Sequence, residues 1–263
     1  MDDAKRPTLE AVRQRIDAID ADLLRLVDER AALAVAVAEA KRAAGDTRFG
    51  LRSAREAQVI RGLLAKPRRA ASNGAILQIW RELIGESLRI QGPMQVTVWG
   101  GRDPVRMAEL ARRRFGAGPQ VTLVDTFEAA LAATKQPGGV AVLSLEPGAR
   151  WWGRLLVERQ LSVFAALPEL AAWGSVGALA VAEVDVEPSG ADETYWITDA
   201  PRSVEAIEEA LGRDGVAARL ICDGGGLKLF GLPGYFQRTD ERLARAPGRL
   251  TGVIGAAPTQ FDL

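Results

Sequence analysis

The sequence predicts an α + α/β protein, with a three-helix region in residues 1–93 followed by a β/α domain in residues 94–263. Three observations carry this. An apolar repeat of 3.5 residues runs without a Gly or Pro from Leu9 past Val37. Gly92-Pro93 closes the last of three helical segments. Beyond it, short apolar runs alternate with helical ones, the signature of β/α units and a largely parallel sheet.

The first helix opens at Thr8, a good N-cap, and runs from Leu9 to about Ala43. Leu9, Val12, Ile16, Ile19, Leu23, Leu26, Leu33 and Val37 form its stripe. At 1.5 Å per residue it is roughly 50 Å long, too long for one small domain, so it calls for a partner chain or a bundle. A break at Gly45–Arg52 precedes a second helix, Ser53 to Ala65, with Val59, Ile60, Leu63 and Leu64 as its stripe. Pro67 and Asn73-Gly74 mark the next break. A third helix, Ala75 to Ile90, carries Ile76, Ile79, Trp80, Leu83, Ile84 and Leu88.

In the second domain, strands are expected at Val96–Trp99, Val121–Val124, Val140–Leu143, Leu161–Phe164, Ala178–Val186 and Tyr195–Thr198. Helices are expected at Val105–Phe115, Phe127–Ala133 and Arg150–Glu158. The tail reads helix (Ser203–Leu211), strand (Val216–Ile221), hairpin turn (Asp223–Gly226) and strand (Leu227–Phe230).

Composition narrows the chemistry. The chain has 263 residues, 48% of them hydrophobic, enough for a real core. Lys+Arg and Asp+Glu are both 34, so there is no basic excess of the kind that marks a nucleic-acid partner. With no histidine and one cysteine, Cys222, the sequence excludes His-based acid/base chemistry, Ser-His-Asp triads, the usual zinc sites and an internal disulfide. The charged N-terminus has no apolar signal region and no apolar run is long enough for a membrane, so a cytoplasmic protein is expected.

Polar residues that interrupt apolar stripes are the informative ones. In the row 9, 16, 23, 30, 37 the sole charge is Arg30. A buried guanidinium needs an anion. Two readings stand: a structural ion pair, with Glu56 as candidate partner, or a bound ligand. Lys41 returns to nearly the same face about 16 Å further on, and is also a natural helix-end lysine. Glu56 points inward with Val59, Ile60 and Leu63, with Arg55 beside it. Ser87 and Gln91 continue the stripe Ile76, Trp80, Leu83. Three helices that each set polar groups in an apolar seam suggest a buried polar binding site.

The segments Val12-Arg13-Gln14-Arg15-Ile16-Asp17, Asp20, Leu23 to Arg30, Ala40-Lys41, Arg55-Glu56-Ala57 and Glu86 to Gln91 together resemble the all-helical chorismate mutases, over about residues 8 to 92. The resemblance implies an intertwined homodimer that rearranges chorismate to prephenate, in the route to phenylalanine and tyrosine, without cofactor or metal. It implies that Arg30 and the partner subunit's Arg13 bind the two carboxylates. Lys41 and Gln91 would contact the ether oxygen and Glu56 the ring hydroxyl, with Arg55 and Ser87 supporting the carboxylates. It places an aspartate where this chain has Arg52, a position whose backbone helps to hold the ring hydroxyl. Geometry agrees with a shared site, because Arg13 and Arg30 lie about 25 Å apart on one helix.

Residues 95 to about 200 resemble a prephenate dehydratase domain, through Val96–Gly101, Arg113-Phe115-Gly116, Asp125–Glu128 and Val142-Glu146-Pro147. Its Thr-Arg-Phe signature would fall on Thr194-Tyr195-Trp196, which lacks the Arg and Phe, and the stretch from Leu167 to Val176 is short for a second lobe. Dehydratase activity is therefore expected to be lost. The tail from Glu193 to Phe236 has the order of an ACT-like unit, which leaves an aromatic amino-acid effector as a candidate partner. Trp99-Gly100-Gly101 lacks a full dinucleotide fingerprint, and Trp151-Trp152 reads as packing. A bifunctional mutase-dehydratase and a non-enzymatic dimeric ligand sensor remain the alternatives.

Overall fold

The computed structural model describes residues 7–45 and 50–262, so the Gly45–Arg52 break lies partly outside the described residues. The chain divides into two compact units, Met1–Arg48 and Phe49–Leu263.

The first unit is one helix, α1 (Leu9–Ala43). The Thr8 hydroxyl accepts from Ala11 N at 3.2 Å, satisfying one of the orphan amides of the first turn. Lys41 and Arg42 sit in the last turn, where the helix dipole favours cations. The apolar row is there as expected and is exposed along its length: Leu9 is 66% exposed, Ile16 51% and Leu23 53%.

The second unit begins with α2 (Ser53–Leu64) and α3 (Asn73–Gln91). Next come β1 (Gln95–Trp99), α4 (Pro104–Phe115), β2 (Gln120–Val124), α5 (Phe127–Ala133) and β3 (Gly139–Ser144). A 3₁₀ turn (Trp151–Leu156) leads to β4 (Leu161–Leu167), β5 (Ala178–Glu183) and β6 (Asp192–Thr198). The chain ends with α6 (Val204–Arg213), β7 (Arg219–Gly224), β8 (Leu227–Pro233) and β9 (Thr251–Pro258). Ser72, Asp103, Thr126 and Ser203 cap α3, α4, α5 and α6 through their side chains.

The described strands form one sheet in the order β2-β1-β3-β5-β4-β9-β6-β8-β7. It is not largely parallel. β1 runs parallel to β2 and β3, joined by the α4 and α5 crossovers, and β4 meets β9 in parallel; the other pairs are antiparallel. The tail is hairpin-connected, which dictates antiparallel pairing. Its tight turn is Gly225-Gly226, with φ of 58° and 86°, the left-handed pair that a two-residue hairpin requires.

β9 joins the two halves of the sheet. It pairs with β6 on one side and meets β4 at Val163 opposite Gly255 on the other. A Cβ on Gly255 would stand 2.2 Å from the Val163 carbonyl oxygen, so only glycine fits this junction.

Residues alternate across the sheet. Val140 and Val142 of β3 face a core shared with α2, α3 and α4. Ala141 and Leu143 face the other side, with α5, Trp151, Trp152 and Leu155. Both tryptophans are fully buried, and Trp151 Nε1 donates to the Ser144 carbonyl at 3.0 Å. α6 covers Trp196, Phe230 and Val253. Thus α2 and α3 pack on the sheet.

Candidate active site

On α1, Arg13 is exposed, whereas Arg30 and Lys41 are half-buried. Burial draws the Arg30 guanidinium below its ordinary pKa. Ala34 and Ala38 are the buried residues of this helix, and they lie between the two cations at i+4 and i+8 from Arg30. The face that carries Leu and Ile side chains in the N-terminal part of α1 therefore continues as Arg30, Ala34, Ala38 and Lys41.

On α2, Glu56 is buried at 7% exposure, facing inward with Ser53, Ala57, Ile60 and Leu64. Arg55 is exposed beside it. Arg52 stands at the N-cap of α2 and makes no side-chain cap, since a guanidinium has no acceptor to offer. It reaches instead to Glu187 at 3.2 Å, both side chains exposed. On α3, Ser87 and Gln91 are half-buried. The Ser87 hydroxyl donates to the Leu83 carbonyl at 2.8 Å, and Gln91 Nε2 donates to the Ser87 carbonyl at 3.1 Å.

The buried face of α3 is turned by about one residue from the stripe that the sequence suggests. Leu77, Arg81, Ile84, Gly85 and Leu88 point into the core, while Ile76, Trp80 and Leu83 lie on its shoulder. Gly85 permits this. A Cβ there would stand 2.3 Å from the Phe115 carbonyl oxygen, so α3 touches the end of α4 at this point.

The turn brings Arg81, 2% exposed, to Glu56. Arg81 Nη1 donates to Glu56 Oε2 at 2.8 Å. The same guanidinium forms a two-pronged pair with Glu169, through Nε to Oε2 at 2.7 Å and through Nη2 to Oε1. Arg114 of α4 donates from Nη2 to Glu56 Oε2 at 2.8 Å, and its Nε lies 3.2 Å from Glu169 Oε1. Two cations and two anions thus balance inside the protein. Burial alone would raise the Glu56 carboxyl pKa, but the Arg114 and Arg81 guanidiniums outweigh it and hold the group below the usual glutamate range. Glu56 Oε1 is buried and has no hydrogen-bond partner among the described residues.

The structure therefore brings Glu56 together with Arg81, Arg114 and Glu169, three residues that the sequence patterns did not single out. A signal for two of them was present. Arg81 interrupts the row Leu77, Ile84, Leu88, and Arg114 interrupts Met107, Leu110, Ala111, Phe115, as Arg30 interrupts its own row. Glu169, in the segment after β4, had none.

In the second half, Thr194, Tyr195 and Trp196 are fully buried in β6. The Thr194 hydroxyl donates to the Gly234 carbonyl at 2.7 Å and accepts from Phe236 N at 2.9 Å, so both roles of that hydroxyl are taken up inside the sheet. Cys222 is buried too, its Sγ 3.3 Å from the Glu146 carbonyl. No helix among the described residues is long and apolar enough to cross a membrane.

Comparison with known proteins gives these features a context. Residues 12–92 match the family model of chorismate mutase type II. The bifunctional chorismate mutase/prephenate dehydratase of Pseudomonas aeruginosa is 28% identical over 153 residues, 56% of this chain and 42% of that protein. The protein of the same description from Stutzerimonas stutzeri is 28% identical over 148 residues, 54% of this chain and 40% of its own. The chain thus spans about two fifths of the length of these curated relatives. A solved structure described as a novel type of quorum quenching acylase, GqqA, superposes with a TM-score of 0.43 at 16% identity, over 62% of this chain and 95% of the other. The N-terminal segment, residues 12–92, is thus similar to chorismate mutase type II, and it leads into a β/α body built on a mixed sheet.

Proposed function

We propose that the protein is a cytoplasmic chorismate mutase, which converts chorismate to prephenate with residues 1–93 as the functional unit and 94–263 as an appended body. The observation that carries this reading is the family match over 12–92, which spans Arg13, Arg30, Lys41, Arg52, Arg55, Glu56, Ser87 and Gln91. The reaction is a concerted shift within one molecule. It needs no nucleophile and no proton transfer, in keeping with a chain that has no histidine.

Two tasks remain for the protein. One is to hold a flexible dicarboxylate in its compact reactive shape, a matter of positioning. Arg30 and Arg13 of the partner subunit bind the carboxylates, with Arg55 and Ser87 in support. Glu56 and the backbone at Arg52 hold the ring hydroxyl. The other task is to place positive charge where the ether oxygen gains electron density. Lys41 does this, with Gln91 donating beside it.

The site is shared between two chains. The exposed apolar row of α1 supports an antiparallel pairing of two copies. The roughly 25 Å from Arg13 to Arg30 requires it, because one helix cannot bring both to one small molecule. Without the mutase activity, the same seam would belong to a dimeric ligand sensor.

The decisive experiment monitors chorismate and prephenate over time with the full chain. Wild-type protein should consume chorismate, and Lys41→Ala should keep the dimer while losing ~10²–10³ in turnover, the scale of one electrostatic group acting on a transition state. Near-normal turnover in that variant rejects the assignment. Phenylpyruvate should not form, because Thr194 is committed to the sheet; its appearance would favour the bifunctional reading.

A further inference from the structure

Glu56 is held in an unusual way for a residue assigned to bind a hydroxyl. Its Oε2 receives two charge-assisted hydrogen bonds, from Arg81 Nη1 and Arg114 Nη2, each 2.8 Å. Its Oε1, equally buried, receives none among the described residues. Buried carboxylate oxygens are normally satisfied, and leaving one without a donor is costly. The arrangement is neutral as a whole, since Glu169 balances the second guanidinium through Arg81 and lies beside Arg114 Nε. It is also built from widely separated parts of the chain. Glu56 comes from α2 and Arg81 from α3, whereas Arg114 ends α4 and Glu169 lies just past β4.

Resting on the mutase reading, we propose that Arg114, with Arg81, is a positioning residue of the mutase site: it clamps one oxygen of Glu56 and so presents the other to the ring hydroxyl of the substrate. The appended body then contributes to the reaction through Arg114 without touching the substrate. Two fixed donors on Oε2 set the carboxylate plane, because each guanidinium is a rigid fork. They leave Oε1 as the remaining acceptor on a group kept negative. The charged groups that face Glu56 are Arg81 from α3 and Arg114 from α4, with Glu169 behind them; Arg55 is its neighbour on α2.

The test uses the full chain and chorismate. Arg114→Gln should raise KM by about tenfold, the scale for losing one well-placed hydrogen bond to a charged group. The rise should grow as pH falls from neutral to mildly acidic, where the wild type stays flat, because Glu56 then lacks a cation that keeps it ionised. In a Glu56→Gln background the same substitution should change KM little, as expected when Arg114 acts only through Glu56. Arg114→Lys keeps the charge but not the fork, and should fall between the two with a flatter pH profile. A purely structural role would lower the folded fraction, and with it apparent kcat, without moving KM or its pH dependence. That outcome in folded Arg114→Gln overturns the proposal, as does full additivity with Glu56→Gln. Should Arg114→Gln fail to fold, wild-type KM and pH profile in Arg114→Lys overturn it equally. Failure of the wild-type protein to consume chorismate is a separate result, and rejects the mutase reading instead.

Discussion

At the scale of single residues, Glu56 shows how burial and charge compete. Alone in the core, its carboxylate would be driven toward the neutral form; two guanidiniums at 2.8 Å reverse that. Its folded pKa lies below its unfolded one, near 4.3 for an ordinary glutamate. Its contribution to stability is therefore complete above that range and is lost as pH falls through the lowered folded value. Glu56→Gln should cost about 3–5 kcal/mol at neutral pH, because it leaves two buried cations facing a single anion. It should also flatten the loss of stability below about pH 4. Urea unfolding across a pH series measures both, and parallel pH profiles for the two proteins would contradict the account. The inward direction of Glu56 was legible in its row on α2. Arg81 did not stand out because α3 offers two candidate rows, and the one through Ile76, Trp80 and Leu83 is the more apolar. Packing against α4 chose the other. That choice turns on a close approach, which composition does not display.

At the scale of elements, Gly85 sets local propensity against packing. In an exposed helix, Gly→Ala stabilises by about 1 kcal/mol. Here the added Cβ would meet the Phe115 carbonyl oxygen at 2.3 Å, a backbone atom that cannot swing aside as a flexible side chain would. Gly85→Ala should instead destabilise by roughly 1–3 kcal/mol, the usual range for overpacking, and should loosen α3 from α4. A thermal melt decides the sign, and a raised midpoint would show that the helices part at no cost. The helices themselves were the legible elements, since their apolar periods and Ser, Thr and Asp caps are local signals. Arg150–Glu158, expected as a helix, is a 3₁₀ turn because Trp151 and Trp152 are both drawn into the core. β9 went unseen. Its sequence, Thr-Gly-Val-Ile-Gly-Ala-Ala-Pro, is rich in glycine, alanine and proline, residues depleted in strands. Its place is set by neighbours far away in sequence.

At the scale of the whole molecule, two apolar surfaces have different fates. That of α2 and α3 is buried on the sheet, with Ile60, Leu77, Ile84 and Leu88 in the same core as Val96 and Val140. That of α1 is exposed. Leu23→Asp should therefore leave the β/α body folded yet shift the proposed dimer toward monomer. Turnover should fall with it, since the partner subunit's Arg13 is then absent. Sedimentation alongside the activity assay checks this, and a fully active monomer would remove the case for a shared site. Residues 1–93 cannot simply be cut away for study, because α2 and α3 would lose the surface they pack on.

The position of β9 has one more consequence. Residues 251–258 supply the strand that knits together two halves made from everything between β1 and β8. While the polypeptide is being synthesised, the flanks of β4 and β6 stay raw, with unpaired amides and carbonyls, until this stretch has emerged. The nascent protein is thus vulnerable to wrong strand pairing from the emergence of β4 until β9 follows it. A stop codon placed just before Thr251 should yield insoluble material rather than a trimmed, folded protein.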